Sequence, residues 1–385
     1  MPQSESRILV RILIDARKLG DGGIGTYIET LIDGLIERRD VSGADITITL
    51  LIAPTKSLKS EFPSRWTGQV RTILEPAGKY SITEYLLMYF RHRATFKSHD
   101  LYHSPHYTLP YFVPTPSVVT IHDAIHVSHP ETVMHRLIGK WLIRSAMRRA
   151  TKVITVSKVS ADEIAHIAAD SHTSEKINVI PNAVRTGLVA DLDEAFEHHY
   201  LSKSSVRLPY CLFVGNPKPH KGWSKLLEAW KIVREALGPD APQLVVVGYG
   251  FHTKHFLEAL EVCGNEGVMF LRGVSVSQQG ILFRNASLLL FPSEAEGFGL
   301  PVLEAMASGT RVIASPLQVV REVAGETVTY TKGDDAAAFA EAVLRSLASQ
   351  ENLVQVKSAK VRSQLFTSMR LAEETYRVYE SCLRT

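Results

Sequence analysis

Short apolar runs alternate with amphipathic segments from one end of this chain to the other, and that alternation limits what it can fold into. Leu288 to Phe291, bounded by Ser287 and Pro292, is too short for a helix. It reads as a strand buried on both faces, the kind found in parallel sheets. Similar runs lie at Leu9 to Asp15, Ile46 to Leu51, Val118 to Ile121, Lys152 to Val156 and Asn178 to Ile180. A second set comprises Tyr210 to Val214, Leu244 to Val247, Met269 to Leu271, Leu288 to Phe291 and Val312 to Ala314. The pattern predicts an α/β chain built from doubly wound parallel sheets.

With 385 residues the chain is long for one core and suits two domains. The expected division is a Rossmann-like domain over 1–184, a linker over 185–208, a second Rossmann-like domain over 209–368 and a helix over 369–385. The linker is charged and poorly periodic, whereas the last segment sets Leu371, Thr375, Val378 and Tyr379 on related helical faces. Ligands of doubly wound sheets lie beyond the carboxyl ends of the strands, so a cleft between two facing sheets is the expected site.

Composition excludes several classes. Hydrophobic residues make up 45% and charged residues 22%, which is ordinary for a globular chain, and a net charge of +3 gives no reason to expect nucleic acid. No run of apolar residues is long enough to span a bilayer, and no signal-like start is present. The expected location is therefore cytoplasmic, with membrane contact only from that side. Cys211, Cys263 and Cys382 are far apart and odd in number, which argues against a disulfide framework or a zinc site.

The chemistry concentrates between Ser287 and Ser315. Glu296 and Glu304 bracket the run EGFGLPVLE. Pro301 suits a first helical position and Gly309 the residue past a last turn, so a short helix is expected over Pro301 to Ser308, with Glu304 in its first turn. Backbone N–H groups of Gly297 to Leu300 would then favour an anion, while the carboxylates suit sugar hydroxyls. Together they suggest a nucleotide-sugar site.

This segment resembles the EX7E signature of retaining glycosyltransferases of the GT-B fold, in the large family 4 that includes bacterial mannosyltransferases and sucrose-phosphate synthases. The resemblance implies an acceptor-binding first domain, a donor-binding second domain and a final helix that crosses back to the first. It implies that Glu304 holds the ribose and Glu296 the donor sugar, with Phe298, Gly299 and Leu300 nearby. A GGIGTY-like loop at Gly22, Gly23 and Gly25 through Tyr27 would lie against the donor, and His122, in a VTIHD-like turn, would contact its sugar. In the second domain, Gly215 to Gly222 (GNPKPHKG) offers Lys221 to the leaving diphosphate. Many relatives carry arginine where this chain has Asn216, so Lys218 is the candidate for the second positive charge. Arg272 and Gly273 follow a strand where the family's nucleotide base rests. His103, His106 and Asp123 are expected on the acceptor side.

The expected reaction transfers a hexose, with mannose the leading choice, from a GDP- or UDP-sugar to a glycan or glycolipid hydroxyl, with no metal or other cofactor. Rival readings are a nucleotide-sugar 2-epimerase and a non-catalytic nucleotide-sugar-binding subunit. Gly20 to Gly25 also satisfies the dinucleotide pattern G-x-G-x-x-G, but the second strand ends at Ile52-Ala53-Pro54 with no acid for a ribose. Asp191-Leu192-Asp193 is a literal D-x-D in the expected linker, away from any strand end, and is read as coincidence. Arg136, Lys140, Arg144 and Arg148 recur every four residues beside Leu137, Ile138, Trp141 and Leu142. Such a stripe can be a solvated face, or it can meet an anionic membrane or a lipid diphosphate.

Overall fold

The computed structural model describes residues 9–384 apart from 44, 55–61, 79–80, 115, 170, 191–192, 252–253, 265 and 350–352. The chain divides into two compact units, one of Met1–Ala183 with Phe366–Thr385 and the other of Val184–Leu365.

Unit 1 holds a parallel sheet of seven strands: β1 (Val10–Asp15), β2 (Ile46–Ile52), β3 (Arg71–Leu74), β4 (Leu101–Ser104), β5 (Ser117–Thr120), β6 (Lys152–Thr155) and β7 (Ile177–Val179). Their order is β3-β2-β1-β4-β5-β6-β7, so the direction of winding reverses between β1 and β4. One apolar cluster packs β1 and β2 against the helix Gly22–Ser42 (α1) and the C-terminal helix Ser368–Leu383, through Leu31, Leu35, Leu371 and Tyr379. A second cluster covers the other face through Met88, Phe96, Ile143 and Met147. The helices Ile82–Arg91 (α2) and Val133–Arg149 (α3) supply three of those four residues.

Two unit 1 strands escape the sequence pattern. β3 is an edge strand with little buried surface, so its residues show no apolar signal. β4 is fully buried yet contains His103 and Ser104, and polar residues hide a buried strand from any hydrophobicity pattern.

Unit 2 has six parallel strands: β8 (Tyr210–Val214), β9 (Gln243–Val247), β10 (Val268–Leu271), β11 (Leu288–Phe291), β12 (Val312–Ala314) and β13 (Thr329–Tyr330). Their order, β10-β9-β8-β11-β12-β13, places the reversal between β8 and β11. Residues 185–208, expected to be a linker, fall within this unit. Their helix Glu194–Lys203 (α4) buries only Leu201, which explains its weak periodicity. Glu197 anchors it, accepting from Arg284 Nε at 3.0 Å and from Asn285 Nδ2 at 3.1 Å. Asp193 caps α4 through the Ala195 N–H, while Asp191 and Leu192 of the D-x-D lie outside the described residues. Cys211 and Cys382 are free and buried.

Candidate functional site

In a doubly wound sheet the two strands at the reversal send their following loops to opposite faces, which opens a crevice at their carboxyl ends. In unit 2 those strands are β8 and β11. The loop after β8 begins at Gly215, whose N–H donates to Val247 O at 2.9 Å. Asn216, where a second cation was expected to be missing, is used for stitching. Its carbonyl accepts from Trp223 Nε1 at 3.2 Å and its Oδ1 accepts from the Tyr249 N–H at 3.1 Å.

The chain then makes a tight turn over Pro219–Lys221 that ends at Gly222. A Cβ on Gly222 would stand 2.2 Å from Pro292 O, and its φ is +70°, so only glycine lets the two loops touch here. The Glu294 N–H donates to His220 O at 2.8 Å, which completes the junction. That contact sets Lys221 beside Glu296. Their Nζ and Oε1 are 2.7 Å apart, and Ser293 Oγ donates to the same oxygen at 2.8 Å. Ser293 is fully buried, whereas Lys221 keeps 23% of its side chain exposed.

The helix that follows β11, Leu300–Ser308 (α5), starts one residue earlier than expected, with Gly299 as its N-cap in a left-handed conformation and no side-chain cap. Glu304 therefore falls beyond the first turn. It is also not an open carboxylate, since it is 3% exposed and accepts from Arg185 Nε at 2.6 Å. Arg185 Nη2 in turn donates to Gln279 Oε1 at 2.7 Å. Phe298 is buried close to this end of β11. Lys218 is exposed on the β8 loop. Arg272 follows β10 at the sheet edge, where its guanidinium lies 5.6 Å from the centre of the Phe251 ring, and Gly273 has a φ of +65°.

Unit 1 shows the corresponding place at the ends of β1 and β4. Gly22, Gly23 and Gly25 form the first turn of α1. A Cβ on Gly25 would meet Gly20 N at 2.7 Å and Lys18 O at 3.0 Å, so the loop closes on itself only with glycine there. Tyr27 fixes the next turn, with its hydroxyl 2.9 Å from Thr120 Oγ1 and its ring edge-on to His122 at 4.8 Å. His122 donates from Nε2 to Pro105 O at 3.1 Å, and burial holds its pKa below the ordinary histidine value despite Asp123 nearby. Asp123 accepts from the Ile125 N–H at 3.0 Å and shapes the local turn.

His103, expected on the acceptor side, does not reach the surface. It is fully buried, with Nδ1 2.6 Å from the Tyr379 hydroxyl and Nε2 2.8 Å from Thr120 Oγ1. Burial pushes its pKa down to about 3. His106 is also buried and stacks on Tyr107 with ring centres 3.8 Å apart. It lines a small cavity with Asp15, Arg17, Lys18 and Glu84. Arg17 bridges the two carboxylates there, at 2.5 Å to Asp15 and 2.7 Å to Glu84.

Sequence reasoning missed Arg17, Glu84, Arg185, Gln279 and Ser293. Arg185 follows the PNAV turn, and nothing in its local pattern points to Glu304, 119 positions away. Ser293, three residues before Glu296, was within reach of a closer reading of the same loop. Among the described residues, no group of three or more His, Cys, Asp or Glu side chains is arranged to hold a metal ion.

The site can be compared with known proteins. Residues 21–188 match the family model described as Glycosyltransferase Family 4, and residues 201–362 match that of Glycosyl transferases group 1. The chain is 29% identical over 242 residues to the O-antigen chain mannosyltransferase RfbU of Salmonella typhimurium, a match covering 62% of each protein. It is 28% identical over 256 residues to O-antigen chain mannosyltransferase B of Escherichia coli, covering 64% of this chain and 65% of that one. These matches therefore span just under two thirds of both relatives. The sucrose-phosphate synthase of Thermosynechococcus elongatus superposes with a TM-score of 0.72 at 20% identity, covering 97% of this chain and 99% of that one. With both halves matched and the fold shared throughout, the chain belongs to the family 4, group 1 glycosyltransferases of the GT-B fold.

Proposed function

We propose that this protein is a retaining glycosyltransferase that moves a hexose, mannose first among the candidates, from a nucleoside diphosphate sugar to a hydroxyl of a glycan or glycolipid. The observation that carries this reading is the Lys221–Glu296 pair at the reversal point of the unit 2 sheet, on the loop that leads into α5, whose amino end has no side-chain cap. A cation and a helix amino end together suit a diphosphate. The choice of mannose rests on the names of the two mannosyltransferase relatives.

Lys221 and Glu296 neutralise each other without a ligand. An arriving diphosphate competes for the ammonium group and leaves Glu296 to accept from sugar hydroxyls. Lys221 then offsets charge as the diphosphate departs, which is the main electrostatic requirement when the acceptor attacks on the face the leaving group vacates. On this reading no enzyme nucleophile and no metal are needed. Glu304, oriented by Arg185, accepts from the ribose. Roles for His122 and the Gly22 to Gly25 loop in unit 1 are tested on their own by His122→Ala, read as kcat for transfer.

The test incubates the protein with GDP-mannose, and separately with UDP-glucose, in the presence and absence of polyprenyl diphosphate-linked oligosaccharide. Acceptor-dependent gain of one hexose with retained anomeric configuration is expected. Release of free epimerised sugar without acceptor, or no turnover of either donor, would overturn the proposal.

A further inference from the structure

An exposed aromatic and basic face lies on unit 1. The helices α2 and α3 meet through Tyr85, whose ring is 5.3 Å from that of Trp141 and whose hydroxyl is 2.7 Å from Ser145 Oγ. The chain of rings continues from Tyr85 to Tyr111 at 5.9 Å, to Phe112 at 5.0 Å and on to Phe90 at 5.1 Å. Arg149 stiffens it from behind, lying over Tyr85 and Tyr111 at 5.2 Å and donating to Leu109 O and Pro110 O. The outer side of this assembly is open to solvent: Trp141 is 52% exposed, Phe90 57% and Met134 62%, with Leu137 and Ile138 between them on α3. Contiguous apolar surface of this kind on a soluble domain marks a docking site.

Cations predominate around the patch, with Glu131, 4.0 Å from His135, the acid at the amino end of α3. Arg93 follows α2, and Arg136, Lys140 and Arg148 lie along α3. No Asp or Glu occurs between Tyr85 and His99, or between Thr132 and Ala161. Arg144, the fourth cation of the stripe, turns away to donate to Ile167 O at 2.8 Å. A second copy of the chain would set these cations against their own equivalents, because a two-fold interface pairs each patch with itself. Rings beside an excess of cations instead suit the headgroup level of an anionic bilayer, where aromatic side chains sit at the interface and Lys and Arg meet phosphates.

We infer that this face of unit 1 seats on an anionic lipid surface. The inference does not depend on the identity of the sugar donor. Co-sedimentation of the full chain with vesicles of equimolar phosphatidylcholine and phosphatidylglycerol should show binding that weakens with salt, and binding to phosphatidylcholine alone should be slight. Phe90→Ser with Trp141→Ser should remove most of the bound fraction. Arg136→Glu with Lys140→Glu, on the solvent side of a helix and so harmless to folding, should lower affinity at least roughly 25-fold, from about fivefold per cation. Equal binding to both vesicle types, no binding by the unaltered chain, or a concentration-dependent dimer abolished by Trp141→Ser would each overturn it. A thermal shift with GDP-mannose, measured on the same variants, reports on the donor site separately.

Discussion

The carboxyl ends of the two sheets present the same topological opportunity and use it in opposite ways. In unit 1 the charged groups beyond β1 and β4 are sealed: Arg17 is spent on Asp15 and Glu84, and His103 and His106 are buried. In unit 2 Lys221 pairs with Glu296 while retaining partial exposure, and Arg185 holds a nearby glutamate. A buried network that has consumed its own charges shapes the loops around it. A part-exposed pair can exchange one partner for a ligand. The difference lies in burial and in the number of partners each charge has, since the residue types are nearly the same.

The most severe way to break the comparison is Arg17→Met. It strands two buried carboxylates and should cost about 3–5 kcal/mol of stability in a urea titration, with the nucleotide-sugar response of unit 2 retained in the folded fraction. Loss of nucleotide response at full stability would show that the network belongs to the donor site. Lys221→Ala and Glu296→Ala should do the reverse, lowering kcat by about 10²- to 10³-fold with an unchanged melting profile. Near-normal transfer by both would sink the proposed roles.

Acid sharpens the contrast further. His103 is neutral in the fold down to about pH 3, whereas in the unfolded chain it takes a proton near 6.5. Stability from this group is therefore complete above about 6.5 and declines as pH falls toward 3, by about 1.4 kcal/mol per pH unit. His106 and His122, also held below their ordinary values by burial, act in the same direction. Replacing His103 with Gln should flatten that acid slope in a set of melting curves; an unchanged slope would mean that the ring is not buried in solution. The smallest effect on transfer is expected from Arg185→Gln, which keeps an amide donor beside the buried Glu304. The donor KM should rise by less than about tenfold with kcat nearly constant, because an orienting contact to a binding group acts mainly on ground-state affinity.

Much of the architecture was legible in the chain. Strands such as β8, β11 and β12 announce themselves because parallel strands buried on both faces must be continuously apolar. The loop around Glu296 was legible for a similar local reason: glycine, proline and a nearby strand end restrict the backbone whatever surrounds them. Two of the departures share one cause. β4 was hidden because His103 is tolerable in a core only with Tyr379 and Thr120 as partners, and Tyr379 lies 276 positions away. The ion pair of Glu304 was hidden because its neighbour in space, Arg185, is remote in the chain.

The sequence by itself thus determined the two sets of parallel strands, the glycine-bounded loops at their ends and the family to which the chain belongs. Tertiary structure alone decided which charges were left for a ligand. It did so by sealing Arg17 between two acids, placing Arg185 on Glu304 and bringing Lys221 to Glu296 across the contact between Gly222 and Pro292. Local pattern reports backbone preference and burial, which are properties of neighbouring residues. The state of a charge is set by whatever lies within a few ångströms of it, and only the folded chain supplies that.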